Sequence, residues 1–138
     1  AVGFREVRLP RPLRVVYPRL RHDLLPEWSH YDLVIAAVLA NELVGYLALS
    51  EHLAPNAAWV TDLVIAPQVR RQGIGSALLL AAQGWAAQRN LRSMMLEMQS
   101  KNAPMIRLAQ KLGYNFCGHH ENYYANQEIG LFFTRFLK

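Results

Sequence analysis

A chain of 138 residues with a formal net charge of +5, 52% hydrophobic and 18% charged, fits one domain with a core of its own. No apolar run approaches the roughly 20 residues of a membrane span, and the first residues lack the apolar stretch of a secretory signal. The single cysteine, Cys117, excludes an intrachain disulfide and fits a reducing compartment, the cytoplasm. Ala1, where a newly made chain carries methionine, reads as a trimmed or excised start.

The charge is unevenly placed. Residues 1–22 carry Arg5, Arg8, Arg11, Arg14, Arg19 and Arg21 against Glu6 alone, and the rest of the chain holds nine basic and nine acidic residues. The first four arginines recur every third residue near Pro10 and Pro12, so a polyproline II segment would put them on one side. Such an arm could touch an acidic partner or nucleic acid. The neutral remainder argues against nucleic acid, whose phosphates need basic residues spread over a face. A solvated leading strand is the simpler reading. Phe4 to Leu9 alternates weakly as that strand, and Arg19 to Leu25 reads as a short helix stopped by Pro26.

From Leu33 the pattern is clearer. Leu33 to Leu39 is an apolar strand, Asn41-Glu42 a turn and Leu43 to Leu49 a second strand, which makes a hairpin. Gly45 inside it marks a bulge or a close approach. Glu51 to Ala57 is a loop, and Trp59 to Ile65 a strand. Pro67 ends it, because proline cannot donate to a ladder. A helix follows from about Gly75 to Gln88, with Ile74, Leu78, Ala81, Ala82 and Trp85 spaced for one sheet-facing side. Ser93 to Met98 is the next strand, and its Met94, Met95 and Met98 read as core. Asn102 is placed as the N-cap of a second helix with Pro104 in its first turn and Gly113 as its C-terminal cap. Tyr114 to Tyr124 and Ile129 to Phe136 form a last strand pair turning near Ala125-Asn126-Gln127. Hairpin, strand, helix, strand, helix, hairpin implies an α/β sheet of mixed direction.

The segment joining the third strand to the first helix carries the chemistry. Arg70-Arg71-Gln72-Gly73-Ile74-Gly75-Ser76 is a short basic turn with two glycines at a helix start. Glycine lets backbone approach a ligand closely, and the free amides and dipole of a helix N-terminus favour an anion. The physical reading is a pyrophosphate cradle. A P-loop is excluded because Ser76-Ala77, not Lys-Ser or Lys-Thr, follows Gly75, and a dinucleotide fingerprint is excluded because position 78 is Leu78.

What remains, Arg70-x-x-Gly73-x-Gly75 between a strand and a helix, resembles the acetyl-CoA loop of the GNAT family of N-acetyltransferases. A second match is Asn102 followed by a helix ending Lys111-Leu112-Gly113-Tyr114. The likeness runs well from about Leu33 to Tyr114, more loosely to Phe136, and poorly over residues 1–32. It implies an α/β fold with a GNAT-like mixed, splayed β-sheet flanked by helices and a reduced N-terminal helical region. It also implies a single acyl-CoA N-acyltransferase-like domain over residues 1–138, with residues 1–32 as a divergent Arg/Pro-rich start. Backbone groups of Leu63, Val64 and Ile65 would pair with the pantetheine arm, and Arg70, Arg71, Gln72, Gly73, Ile74, Gly75 and Ser76 would hold the pyrophosphate. Asn102 would touch the cofactor as well as cap its helix. The activity implied is transfer of an acetyl group from acetyl-CoA, as cosubstrate, to a primary amine of a small molecule or protein. No metal and no membrane partner are expected, and a homodimer is left open.

One departure matters. The family commonly carries a tyrosine seven residues after the asparagine as general acid, and here that position is Ala109. Tyr123 and Tyr124, adjacent on the expected late strand and so on opposite faces, are the nearest substitutes for protonating a thiolate. Candidate bases for the acceptor amine are Glu51, His52 and Asp62, although proximity alone can carry much of the rate. Cys117, His119 and His120 lack a second pair to complete a metal site. The missing acid also supports an alternative, a domain that binds acyl-CoA without catalysis and acts as a sensor or interaction module.

Overall fold

The computed structural model describes residues 31–70 and 72–137. The arginine-rich start, the strand expected over Phe4 to Leu9, the helix expected over Arg19 to Leu25 and Arg71 of the cradle lie outside the described residues.

The described chain forms β1 (Leu33–Leu39), β2 (Glu42–Ser50), β3 (Ala57–Ile65), α1 (Ile74–Gln88), β4 (Ser93–Gln99), α2 (Ala103–Lys111), β5 (Asn115–His120) and β6 (Gly130–Phe136). They make one six-stranded sheet in the order β1-β2-β3-β4-β6-β5. Only β3 and β4 run parallel, joined through α1, and every other neighbour is antiparallel. This is the expected mixed sheet.

Local chemistry explains most boundaries. The first hairpin turns at Ala40-Asn41, one residue earlier than expected, and both adopt positive φ, as a two-residue primed turn requires. Gly45 answers both readings of it. The β1–β2 register shifts beside it, and a Cβ there would stand 2.9 Å from Val64 O. On α1 the buried residues are Leu78, Leu79, Ala82 and Ala86. Ala81, expected inside, is exposed, so the stripe is rotated by about one residue. Asn102 caps α2 through its side-chain oxygen, which accepts from Met105 N at 3.3 Å, and Gly113 ends the helix region at φ 82°.

One face of the sheet is dry. Leu47, Leu49, Val60, Leu79, Met94, Leu96 and Phe133 are each under 2% exposed, and α1 and α2 close over them. Met94 and Met98 belong to this core, as expected, whereas Met95 is half-buried on the other face.

The feature that organises the site is a break in the middle of β3. Ladder pairing with β4 runs from Ala57–Ser93 to Val60–Leu96 and then stops. On the other side, Ala48 pairs with Asp62 and Leu49 with Val60, so Thr61 is an extra residue, a β-bulge. A bulge bends its strand and increases its twist. The second half of β3 therefore leaves β4 while keeping β2, and a cleft opens between Thr61–Leu63 and Glu97–Gln99.

Candidate active site

The cradle begins where β3 ends. A short 3-10 turn over Pro67–Val69 leads to Gly73, the N-cap of α1, at φ 81° and ψ 7°. Glycine takes this left-handed conformation without the steric cost other residues pay. No side chain caps α1, and its first turn holds no acidic residue. Its first backbone bond closes from Ala77 N to Gly73 O, which leaves the amides of Ile74, Gly75 and Ser76 ahead of the ladder. An anion is the natural partner for such an end.

The two glycines play different parts. A Cβ at Gly73 would meet nothing within 4 Å, so the space before the helix is open. A Cβ at Gly75 would stand 3.2 Å from Leu108 Cδ2 of α2. Gly75 is therefore a packing contact between the helices. Ile74 also sends its side chain to the core, so only its amide can serve an anion. Arg70 is exposed, and its Nε donates to Ile65 O at 3.3 Å, bracing the turn against the strand it follows.

The backbone of β3 narrows the expected pairing edge. Ala66 N donates to Val44 O. In an antiparallel pair alternate residues point to the partner, so Val64 faces β2 and Leu63 and Ile65 aim at the open side. Leu63 and Ile65 can thus offer backbone groups to an extended ligand, as one added strand would take them. Val64, expected with them, has its groups turned to β2, and Ile65 O already receives Arg70.

The cleft is lined by Val60, Thr61, Asp62, Leu63, Glu97, Met98, Gln99, Asn102, Met105 and Tyr124. Two of these are carboxylates and none is a lysine or arginine. Asp62 is 8% exposed and accepts from Tyr31 Oη at 2.9 Å and from Thr61 Oγ1 at 3.2 Å. Glu97 Oε2 accepts from Trp59 Nε1 at 3.0 Å and from Tyr123 Oη at 2.6 Å. Asn102 reaches the cleft while capping α2, so its two expected roles are compatible.

Tyr123 and Tyr124 differ from expectation in their setting. β5 ends at His120, and both tyrosines sit in the loop between β5 and β6, with their amides directed at Glu128 O. Asn122 and Gln127 bend this loop with positive φ, and polar turn residues, not strand alternation, decide where the two rings go. Tyr124 lines the cleft, and Tyr123 packs edge-on against it with ring centroids 5.0 Å apart. Burial raises the pKa of both phenols. Glu97 raises each further, by hydrogen bond and charge on Tyr123 and by charge on Tyr124, where Tyr123 and Asp62 add to it. Both therefore remain protonated at neutral pH.

The structure sets Glu51 apart from the cleft. Its carboxylate is held by Arg89, whose Nε donates to Oε2 at 2.7 Å and whose second guanidinium nitrogen pairs with Oε1. Arg89 is the C-cap of the 15-residue α1. At 1.5 Å per residue that is about 22 Å along the helix from the cradle. His52 is mostly exposed and pairs with Asp32 at 3.2 Å. Asp32, Glu51 and His52 cluster closely enough to suggest a metal, yet Arg89 already neutralises Glu51. Cys117, His119 and His120 are all exposed on β5. Ala109, at the position of the family's usual acid, is fully buried on the core side of α2.

Glu97 and Trp59 were not singled out in the sequence, although a signal for Glu97 was there. Met94, Leu96 and Met98 share the core face, so alternation sends Glu97 to the other side. Nothing in the local sequence said that β3 would peel away opposite it.

Several comparisons bear on this arrangement. Streptothricin acetyltransferase of Streptomyces lavendulae is 31% identical over 84 residues, which is 61% of this chain and 44% of that protein. A putative ribosomal protein bS18-alanine N-acetyltransferase of Bacillus subtilis is 30% identical over 106 residues, 76% of this chain and 67% of that one. The matched region thus spans less than half of the first relative and about two thirds of the second. Among solved structures, a putative streptothricin acetyltransferase of Bacillus anthracis in complex with acetyl coenzyme A superposes with a TM-score of 0.71 at 23% identity, covering 79% of this chain and 67% of that chain. No helix among the described residues is long and apolar enough to cross a membrane. The model of the acetyltransferase (GNAT) family matches residues 4–114, and with the cradle, the parted strands and the cleft in place, the chain belongs to that family.

Proposed function

We propose that the protein is an acetyl-CoA-dependent N-acetyltransferase whose acceptor is a primary amine. The observation that carries this reading is the parting of β3 from β4. It puts an open backbone edge and two carboxylates along one cleft, on the strand that leads through Pro67–Val69 to the uncapped start of α1. Acetyl-CoA supplies an activated thioester. The amides of Ile74, Gly75 and Ser76 hold its pyrophosphate, with Gln72 and Arg70 beside them, and Leu63 and Ile65 align its pantetheine arm.

The acceptor enters as an ammonium, and a cleft with two carboxylates and no cation among its described lining favours that charge. An attacking amine must first lose a proton, since a free alkylamine has a pKa near 10.4. Glu97 is placed to take it, directly or through one water. Tyr124 then donates a hydrogen bond to the leaving sulfur. Its raised pKa makes full transfer to a thiolate uphill, so Tyr124 stabilises the developing charge and the last proton comes from solvent. Asp62, locked by Tyr31 and Thr61, keeps the pocket anionic and orients the ammonium.

The acceptor is a primary amine of a small molecule or of a protein, and the two relatives are named for one of each, streptothricin and an alanine of ribosomal protein bS18. Thiol release from acetyl-CoA with streptothricin, spermidine and a ribosomal N-terminal peptide tests the reading. Turnover with at least one of them is expected. Tight CoA binding by calorimetry with no turnover of any amine would favour the binding-only module.

A further inference from the structure

We infer that Trp59 and Tyr123 are positioning residues that together hold the Glu97 carboxylate, and that Gly130 is the device that lets Tyr123 reach it. The inference rests on the reading of Glu97 as the base. The indole N–H and the phenol O–H both donate to the same oxygen, Oε2, from two different parts of the chain. Two donors on one oxygen fix the carboxylate's rotation, which one donor alone would leave free to swing. Trp59 is paired to both β2 and β4, so the doubly paired part of the strand aims a group that works beside its open-edged part.

The second donor is held just as deliberately. Phe132 pairs with Glu97 across β4 and β6, so the two side chains stand on one face. Its ring meets Trp59 edge-on at 5.8 Å and Tyr123 edge-on at 5.2 Å, which braces both donors. At Gly130 a Cβ would lie 2.7 Å from Tyr123 Cδ2 and 2.8 Å from Cγ. Contacts that short do not occur, and here the obstacle would be the ring itself. Gly130 φ is not in the left-handed region, so backbone strain is not the reason for this glycine. The ring of Tyr123 lying against the strand is. Tyr123 then acts on the reaction through Glu97, while Tyr124 steadies the leaving sulfur and solvent supplies the proton.

The groups that titrate around this carboxylate are Asp62 across the cleft, Tyr123 and Tyr124 in the loop, and His120, whose ring lies 5.5 Å from that of Tyr123. Glu128 contributes its backbone oxygen there, and its own carboxylate is taken by Lys101 at 3.0 Å.

The test follows the Trp59 indole N–H resonance against pH in the full chain, with Trp59→Phe to assign the peak. In the parent the peak moves as Glu97 gains a proton, and in Glu97→Gln that movement disappears. In Tyr123→Phe the midpoint rises by about one pH unit, because the anionic oxygen loses a donor. Gly130→Ala gives the same rise, since it displaces the ring, while His120→Gln leaves the midpoint within about 0.3 unit by virtue of its distance. An unchanged midpoint in Tyr123→Phe overturns the inference, and so does a titration that survives Glu97→Gln. If Gly130→Ala does not fold, Tyr123→Phe decides alone. Thiol release separates the two readings. Tyr123→Phe lowers kcat about tenfold in the parent and not at all in a Glu97→Gln background. An expected indole titration with full turnover in Glu97→Gln would sink the base assignment and leave the positioning geometry standing.

Discussion

The two halves of β3 are the same strand with opposite duties. Ala57 to Val60 is paired to β4, with Trp59 and Val60 paired to β2 as well, and Ala57, Ala58 and Val60 are each 3% exposed or less. Asp62 to Ile65 is paired only to β2, and Thr61, Leu63, Val64 and Ile65 are half-buried. The first half is ordinary sheet, stabilised by packing under α1. The second half gives up one ladder and leaves an open edge, whose backbone groups are left for water or a ligand to complete. The bulge at Thr61 is the joint between them. Structure and activity should therefore separate along this strand, and the following changes probe that division in order of expected size.

Glu97→Gln strikes the open half hardest. Turnover should fall by about 10²- to 10⁴-fold while acetyl-CoA affinity stays within about twofold. Parallel thiol-release and calorimetry measurements check this, and a matching loss of CoA affinity would mean that Glu97 serves the fold or the cofactor instead. Leu96→Ala strikes the paired half. Leu96 is fully buried opposite Val60, so its truncation should cost about 3 kcal/mol in chemical denaturation. A loss below about 1 kcal/mol would show that the site collapses without a cavity.

The cradle glycines sharpen the comparison. Gly75→Val should destabilise by about 2 kcal/mol, because the new side chain meets Leu108 and must push α1 from α2. Gly73→Ala should cost only about 1 kcal/mol, the strain of a left-handed residue, yet weaken acetyl-CoA binding more than its stability loss explains. If calorimetry shows unchanged binding for folded Gly73→Ala, the pyrophosphate does not sit at that turn. Glu51→Gln is the smallest change. It loses an ion pair to an arginine that is half exposed and screened by water, and should keep full turnover with little change in stability. A large drop in kcat would bring Glu51 back as a candidate base.

How much was legible in advance varied with the range of the interaction. Asn102 could be read as a cap and Gly113 as a helix end because capping is settled within a few residues of chain. The anion-seeking turn at Gly73 was legible for the same reason. The close approach of Gly75 to α2 was not legible, since what it avoids, Leu108, is 33 positions away in the sequence. Tyr123 and Tyr124 were placed on a strand because aromatic residues favour strands. The loop instead obeys Asn122 and Gln127, and β5 stops at His120.

By itself, then, the sequence determined the order of strands and helices, the strand–turn–helix with a glycine at its uncapped start, and the place of Met94 and Met98 in the core. Each of these follows from periodicity or from backbone preferences that act over a few residues. Only the tertiary structure decided where β3 leaves β4, that Glu97 looks into the opening, and that Trp59 and Tyr123 meet on one of its oxygens. Those facts depend on pairing registers between strands far apart in the chain. A single extra residue such as Thr61 shifts such a register, and the local sequence carries no mark of which residue it will be.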